Sequence, residues 1–436
     1  MFTAERGFGQ SQLTDWLPFE VAEDEVVDAE NVPWWLERQG KGLEREGVVI
    51  FVNYWADFLA NPVGGRSQEA AYTHELVFGA TLKLEELIGL PGAALTVSGG
   101  QGVGRNLSQD IGNFFTVSQT AIIPTTVFYQ LTYTQELWDD RVQFSLGRMN
   151  ASGYFVTLPA FGMLVTGGLN SSPASMFLNA PFIGSPEAVW AALLETKPTD
   201  EVYWRTGIFQ ASSRAGEPAY HGLDFSIRAE DGFLLISETG WTPQFGKEAG
   251  PAPGDAAGKG GAKKEVTVSE FPGYAGAYVL GGYWGHDEFE RFDGGFERDT
   301  FGFYALAQQM VWRSRSNPNR HFSLWGGATV APQTEISTMP FMGLAGFVWQ
   351  GPLPRRDQDL LQLAFMIGSL SPEFAAAQRR AGEGYPTYEA AFDLSYVVQL
   401  NENLSIQPDV QLILRPGGRG DIPPAFVIGM QATANF

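Results

Sequence analysis

His74, His221, His286 and His321 are the only imidazoles in this 436-residue chain, and it contains no cysteine. Thiol catalysis, disulfide frameworks and cysteine-based zinc sites are therefore excluded. A hydrolase needs a nucleophile and a base held together, and no Gly-x-Ser-x-Gly turn accompanies these histidines. The side chains left with chemistry to offer are Glu75, Arg148, Trp204, Asp224, Arg228, Asp409 and Gln411. They point to no metal and no cofactor. Carboxylates, guanidinium groups, an amide and a ring make charge-assisted hydrogen bonds and stacking contacts, which hold or guide a molecule without breaking it.

Such groups act together only if the backbone aims them at one space, and alternation supplies the aim. Phe392, Leu394, Tyr396, Val398 and Leu400 share one face of an extended segment, with Asp393, Ser395 and Gln399 on the other. After the turn Asn401, Glu402, Asn403, a second run sets Leu404, Ile406, Val410, Leu412 and Leu414 against Ser405, Gln407, Asp409 and Gln411. Two runs of about ten residues joined so tightly form a hairpin, and they exceed the usual five or six residues of a soluble strand. The pattern recurs at 127–136 and, past the turn Trp138, Asp139, Asp140, at 142–146. Other strands begin near Val48, Glu75, Ala94, Val202, Tyr274, Phe301, His321, Phe341 and Leu360.

In a transmembrane β-barrel every second side chain meets lipid and the others meet a watery lumen. That rule sends Glu75, Asp409 and Gln411 inward, and Asp224 and Arg228 too if 223–228 is a strand. It puts Glu238 outward with Leu234 and Ile236. Arg148 shares the parity of Phe144 and Leu146, so only a bulge or strand end turns it inward; otherwise it is an exposed loop arginine. Trp138, Trp204, Trp241, Trp284, Trp312, Trp325 and Trp349 lie near strand ends, as an interfacial aromatic girdle requires, and so does Trp16; Trp204 is the one tested for stacking on a solute. About seventeen segments emerge, an odd number that bacterial barrels avoid, and the suspected miscount is the Pro-, Ser- and Gly-rich stretch 151–198, which holds one to three strands.

Composition agrees with a membrane wall. Charged residues are 18% of the chain, against roughly 25% in soluble domains. Forty-nine acidic and 28 basic residues leave a net charge of −21 with no basic stripe, which argues against nucleic acid. No apolar run reaches the roughly 18 residues of a membrane helix. Residues 1–20 lack a signal peptide, so for an exported chain the numbering starts at the mature protein. Residues 1–46 are acidic, with Trp34, Trp35 and Leu36 in a short amphipathic segment at the periplasmic end. The barrel domain spans 47–436, interrupted by the low-complexity loop Gly246 to Lys264. The last strand places Phe426, Ile428, Met430 and Phe436 on one face; an alternating strand ending on phenylalanine resembles the sorting signal read by barrel-insertion machinery.

In order along the chain, several short motifs carry a family likeness. They are Gly47, Val48, Tyr54 and Asp57, followed by Gly64 and Gly65; Leu84 to Gly92; Ile111, Gly112, Val117 and Ser118; and Phe144 to Arg148 with Phe155. Tyr388, Glu389, Ser395, Tyr396, Gln407 to Asp409, Gln411 and Pro416 to Gly418 follow. Together they resemble the carbohydrate-selective outer-membrane porin family (OprB-like) from about Trp35 to Phe436. Two features depart from it: Trp34 to Arg38 lacks the family's Trp-Gly-x-Arg glycine, and 246–264 reads as an insertion.

The resemblance implies an all-β, antiparallel up-and-down barrel of 16 strands with an inward-folded constriction loop. It implies a homotrimer in the Gram-negative outer membrane, among its lipids and lipopolysaccharide, passing carbohydrate solutes. Arg148, before the proposed inward loop, becomes the leading constriction residue. The competing readings are a porin for other solutes, a closed structural barrel and a barrel-type hydrolase.

Overall fold

The computed structural model describes residues 42–120, 125–169, 171–247 and 272–436. Trp16, Trp34 and Trp35, and the 246–264 segment from Glu248 onward, lie outside them. The strands are β1 (Val48–Val63), β2 (Ala70–Lys83), β3 (Ala93–Gly104), β4 (Thr126–Leu137), β5 (Val142–Met149), β6 (Val189–Thr196), β7 (Val202–Ala211) and β8 (Gly232–Trp241). There follow β9 (Gln244–Phe245), β10 (Tyr274–Glu290), β11 (Phe296–Arg313), β12 (His321–Val330), β13 (Phe341–Gln350) and β14 (Leu360–Ser369). The last three are β15 (Tyr388–Gln399), β16 (Leu404–Leu414) and β17 (Ala425–Asn435).

Consecutive strands pair antiparallel, and β1 pairs with both β2 and β17, so the sheet closes on itself. The two-residue β9 merely prolongs the β8–β10 ladder. Of the seventeen strands among the described residues, the other sixteen form the wall. The seam is sealed by backbone hydrogen bonds in both directions between Val52 and Phe436, each 2.8 Å. A lumen-side hydrogen bond from Gln431 Nε2 to Asp57 Oδ1 (2.9 Å) reinforces it.

One of the sequence-based strands is corrected, and one count is narrowed. Residues 223–228 are extended but join no ladder; they belong to the loop between β7 and β8. The stretch 151–198, with one to three strands expected, contributes one, β6, and its first part is a long loop folded into the barrel. Where strands were placed correctly, turn chemistry explains the boundary. Trp138, Asp139 and Asp140 all adopt left-handed φ values of 57°, 53° and 62°, a conformation aspartate tolerates better than most residues. Gly64, at φ +77°, sits where a Cβ would lie 1.7 Å from the Pro424 carbonyl oxygen, so the first loop and the last can meet only through glycine there.

The wall inverts the pattern of a soluble protein. Leu280, Phe303 and Phe58 are 62%, 59% and 55% exposed, whereas Asp57 and Gln362 are fully buried. The bare face is apolar, as a hydrocarbon solvent demands, and the inner face carries the polar groups. Trp138, Trp204, Trp241, Trp312 and Trp349 are all exposed and lie at strand ends on the rim where β1 begins and β17 ends. They form one belt of an interfacial girdle. Trp325 does not belong to it: it is buried inside, its ring edge-on to Phe161 at 5.5 Å.

If the bare face meets lipid, Leu280→Arg should lower unfolding stability in phosphatidylcholine vesicles by about 2–4 kcal/mol, while Leu280→Phe should stay close to wild type. Urea titration of the vesicle-embedded protein reads the difference. Equal stability of the two variants would contradict a hydrocarbon-facing wall.

Candidate functional site

The interior is narrowed by two loops that leave the rim where β1 ends and β17 begins and fold inward, after β3 over 105–120 and after β5 between Met149 and Val189. Their backbone has no sheet to pair with, and unpaired buried amides and carbonyls are costly. Wall side chains meet that need around most of the circumference. The Glu389 carboxylate accepts the amides of Phe114 (2.9 Å), Phe115 (2.7 Å) and Gly417 (2.6 Å). Asp393 accepts the Thr166 amide at 2.9 Å, and Gln308 accepts that of Ala160 at 3.2 Å. Gln362 and Gln407 both donate to the Met163 carbonyl, and Gln411 donates to that of Val117 at 2.7 Å. Asp57 takes the hydroxyls of Ser118 (2.5 Å) and Thr120 (3.1 Å).

The strongest anchor is an ionic cluster under the first turn of the longer loop. Arg205 on β7 lies between Glu195 on β6 (Nε to Oε2, 2.7 Å) and Glu238 on β8 (3.7 Å), and it also donates to the Tyr154 carbonyl. Glu238 accepts the Val156 amide at 3.2 Å and the hydroxyls of Tyr203 and Tyr304 at 3.0 and 2.9 Å. Both tyrosines reach it by lying across glycine: a Cβ on Gly240 would overlap the Tyr203 ring at 2.0 Å, and one on Gly281 would meet Tyr304 at 2.4 Å. Sequence parity had put Glu238 outward with Leu234 and Ile236. All three face inward, where Leu234 and Ile236 are fully buried in the same cluster as Phe155 and Phe161 of the loop.

The remaining predicted residues fall into two groups. Glu75, Asp409 and Gln411 do face the lumen but are buried there: Glu75 accepts the Ser185 hydroxyl at 3.2 Å, and Asp409 accepts Gln411 Nε2 at 2.9 Å. Arg148, Trp204, Asp224 and Arg228 lie elsewhere. Trp204 is on the outer face with Ile208 and donates to Ser237 at 3.0 Å. Arg148 pairs in register with the outward Trp190, and no bulge turns it round. Segment 221–228 covers it instead. Arg148 donates to the carbonyls of Asp224 and Ala188, each at 2.6 Å, and its guanidinium lies 4.8 Å over the Phe225 ring. Asp224 and Arg228 are therefore loop residues at the rim, because 223–228 crosses the wall instead of joining it.

Within that segment, Asp224 Oδ1 accepts the Ser226 hydroxyl (2.6 Å) and amide (3.0 Å), while Arg214 binds Asp224 Oδ2 at 2.7 Å and Asp231 at 3.1 Å. These bonds, the Ser226 ones first, hold the Asp224 carboxyl well below the usual carboxylate range. Of the histidines, His286 alone among the described residues pairs with an acid, Asp299 at 2.9 Å, and both lie exposed beside Trp284. The anchoring carboxylates were visible in the sequence as polar inner-face positions, but nothing local told a loop anchor from a residue that meets solute.

Two expectations follow. Arg205→Met should destabilise the protein by about 3–5 kcal/mol by leaving two buried carboxylates uncompensated, read as a lower thermal midpoint, and Glu238→Gln with Arg205 intact should cost less. Because the folded Asp224 titrates below its unfolded value, its contribution is complete above about pH 4 and lost only as pH falls through the lower folded value. The Ser226 amide should stay protected from hydrogen exchange through the ordinary carboxylate range, and Asp224→Asn should expose it at every pH.

Comparison with known proteins fits this geometry. The family described as carbohydrate-selective porin, OprB family, matches residues 67–436. Porin B of Pseudomonas aeruginosa is 23% identical over 446 residues, spanning 93% of this chain and 92% of that protein. The high-pH structure of Pseudomonas putida OprB superposes with a TM-score of 0.79 at 18% identity, covering 92% of this chain and 97% of that one. The low-pH structure of the same protein gives 0.55 at 16% identity, with 92% and 96% covered.

Proposed function

The chain belongs to the carbohydrate-selective porin family, OprB, and on that premise we propose how its interior handles a sugar. Its function is that of the family, passage of carbohydrates through a closed β-barrel in the Gram-negative outer membrane. The fold and the family are those of a channel.

The observation that carries the reading of the path is the layer of loop backbone held inside the wall by Glu238, Gln308, Asp393 and Glu389. It narrows the lumen as one joined layer, because the two loops bond to each other: the Gly167 amide donates to the Thr116 carbonyl at 2.7 Å and the Gln119 amide to the Val165 carbonyl at 2.9 Å. On this reading Glu75, Asp409 and Gln411 shape the passage by fixing its lining and do not themselves grip the solute. Solute meets charge at the far mouth, where Arg105 pairs with Asp110, Arg291 with Glu297 and Arg419 with Asp421. Each pair offers donors and acceptors together, which suits a neutral, hydroxyl-rich molecule better than an ion. Single-chain barrels carry short turns on the periplasmic side and longer loops outside, so the rim where β1 begins and β17 ends faces the periplasm.

We infer further that the channel works as a homotrimer, with outer-membrane lipids and lipopolysaccharide against its apolar face, and that insertion machinery reads β17 and Phe436. The family resemblance and the alternation of β17 support these assignments. Residues 1–46 are then an accessory segment, 47–436 the barrel domain, and 246–264 an insertion in the chain between β9 and β10.

Liposome swelling tests the solute reading: glucose should enter faster than a neutral amino acid of equal size, and equal rates would leave a general porin. Arg148→Ala should leave that ratio unchanged, since the guanidinium lies behind the wall. A changed ratio would return it to the passage.

A further inference from the structure

Two carboxyl groups on adjacent strands meet on the inner wall, with the Ser395 hydroxyl beside them and no cation between them. Asp393 on β15 is fully buried and Asp409 on β16 is 1% exposed. The register pairs Asp393 with Gln411 and Ser395 with Asp409, so the two carboxyls sit diagonally on the inner face, within hydrogen-bonding reach of each other. One oxygen of each is engaged, Asp393 Oδ2 by the Thr166 amide and Asp409 Oδ2 by Gln411 Nε2. The other oxygens, Asp393 Oδ1 and Asp409 Oδ1, have no partner.

The surroundings hold no compensating charge. From β1, Asp57 faces the pair, and its own carboxylate is taken by Ser118, Thr120 and Gln431. Farther along β15, Glu389 is held by backbone amides. The inward loops contribute Thr166, Met163 and Val117, β14 contributes Gln362, and β17 contributes Gln431, none of them ionisable. Among the described residues, none of Asp57, Glu389, Asp393 and Asp409 forms an ion pair with lysine, arginine or histidine.

Two carboxylates sealed together would repel, and each would bear the cost of a buried unpaired charge. Acids held this close instead keep one proton between them. We propose that Asp393 and Asp409 share a single proton between Asp393 Oδ1 and Asp409 Oδ1, and that this O–H···O bond ties together the anchors of both inward loops. Through Asp393 it reaches Thr166 of the longer loop. Through Asp409 and Gln411 it reaches Val117 of the shorter one. Both acids are positioning residues: they act on the passage through the loops they hold, whichever solute passes.

Infrared spectra of the purified channel at neutral pH test the shared proton. The difference between wild type and Asp409→Asn should contain the carbonyl stretch of an un-ionised carboxylic acid, shifted by deuteration. Asp393→Asn should remove the same band, because either amide replaces the shared proton with a permanent donor. Bands from Asp57, Glu75 and Glu389 cancel in the difference, and the two variants back each other should one fail to fold. In planar bilayers, raising the pH should increase open-channel noise severalfold in wild type and leave Asp409→Asn flat. A difference spectrum with carboxylate bands alone, as a metal cation between the oxygens would give, overturns the proposal. So does an equal pH response in wild type and variant.

Discussion

Everything inside this barrel depends on the hydrogen bonds that wall side chains make to loop backbone. A loop drawn into the lumen leaves water behind and finds no neighbouring strand, so its amides and carbonyls need partners from the surrounding face. Glu238, Gln308, Asp393, Glu389, Gln362 and Gln407 supply them from five different strands. Their side chains are short on freedom and long on geometry, each fixing a single stretch of loop. The passage is thus shaped by residues that a solute never needs to touch.

The sequence made the wall legible because two solvents impose a period of two on every strand. The hairpin of β15 and β16, the closing strand β17 and the turn at Trp138 to Asp140 could be read directly. The same rule failed where its premise failed. Under the 150–188 loop the inner face meets packed protein instead of water, so Leu234 and Ile236 point inward beside Glu238, and Trp325 leaves the girdle to pack on Phe161. Alternation also misled at 223–228, whose apolar and polar residues alternate in a segment that pairs with nothing. Which inward polar residue anchors a loop and which meets a solute is a matter of tertiary contact, and spacing along one strand carries no record of it.

Arg148 shows how a charge can sit on the outer parity of a membrane wall. Facing hydrocarbon it would be severely penalised. Covered by 221–228, it instead donates to two carbonyls and lies over the Phe225 ring. The covering segment is tied down in turn by Arg214, Asp224 and Asp231. Cation and cover therefore require each other, and neither belongs to the solute path.

The long inward loop touches β7 and β8 through Tyr154 and Val156, β11 through Ala160, and β15 through Thr166. A sheet rolled into a ring is stiff along its strands but easily squeezed into an ellipse. Ties that cross the interior work as spokes work in a wheel, resisting ovalisation when lateral pressure in the membrane changes. The bore of such a channel keeps its outline while its surroundings thicken, thin or crowd.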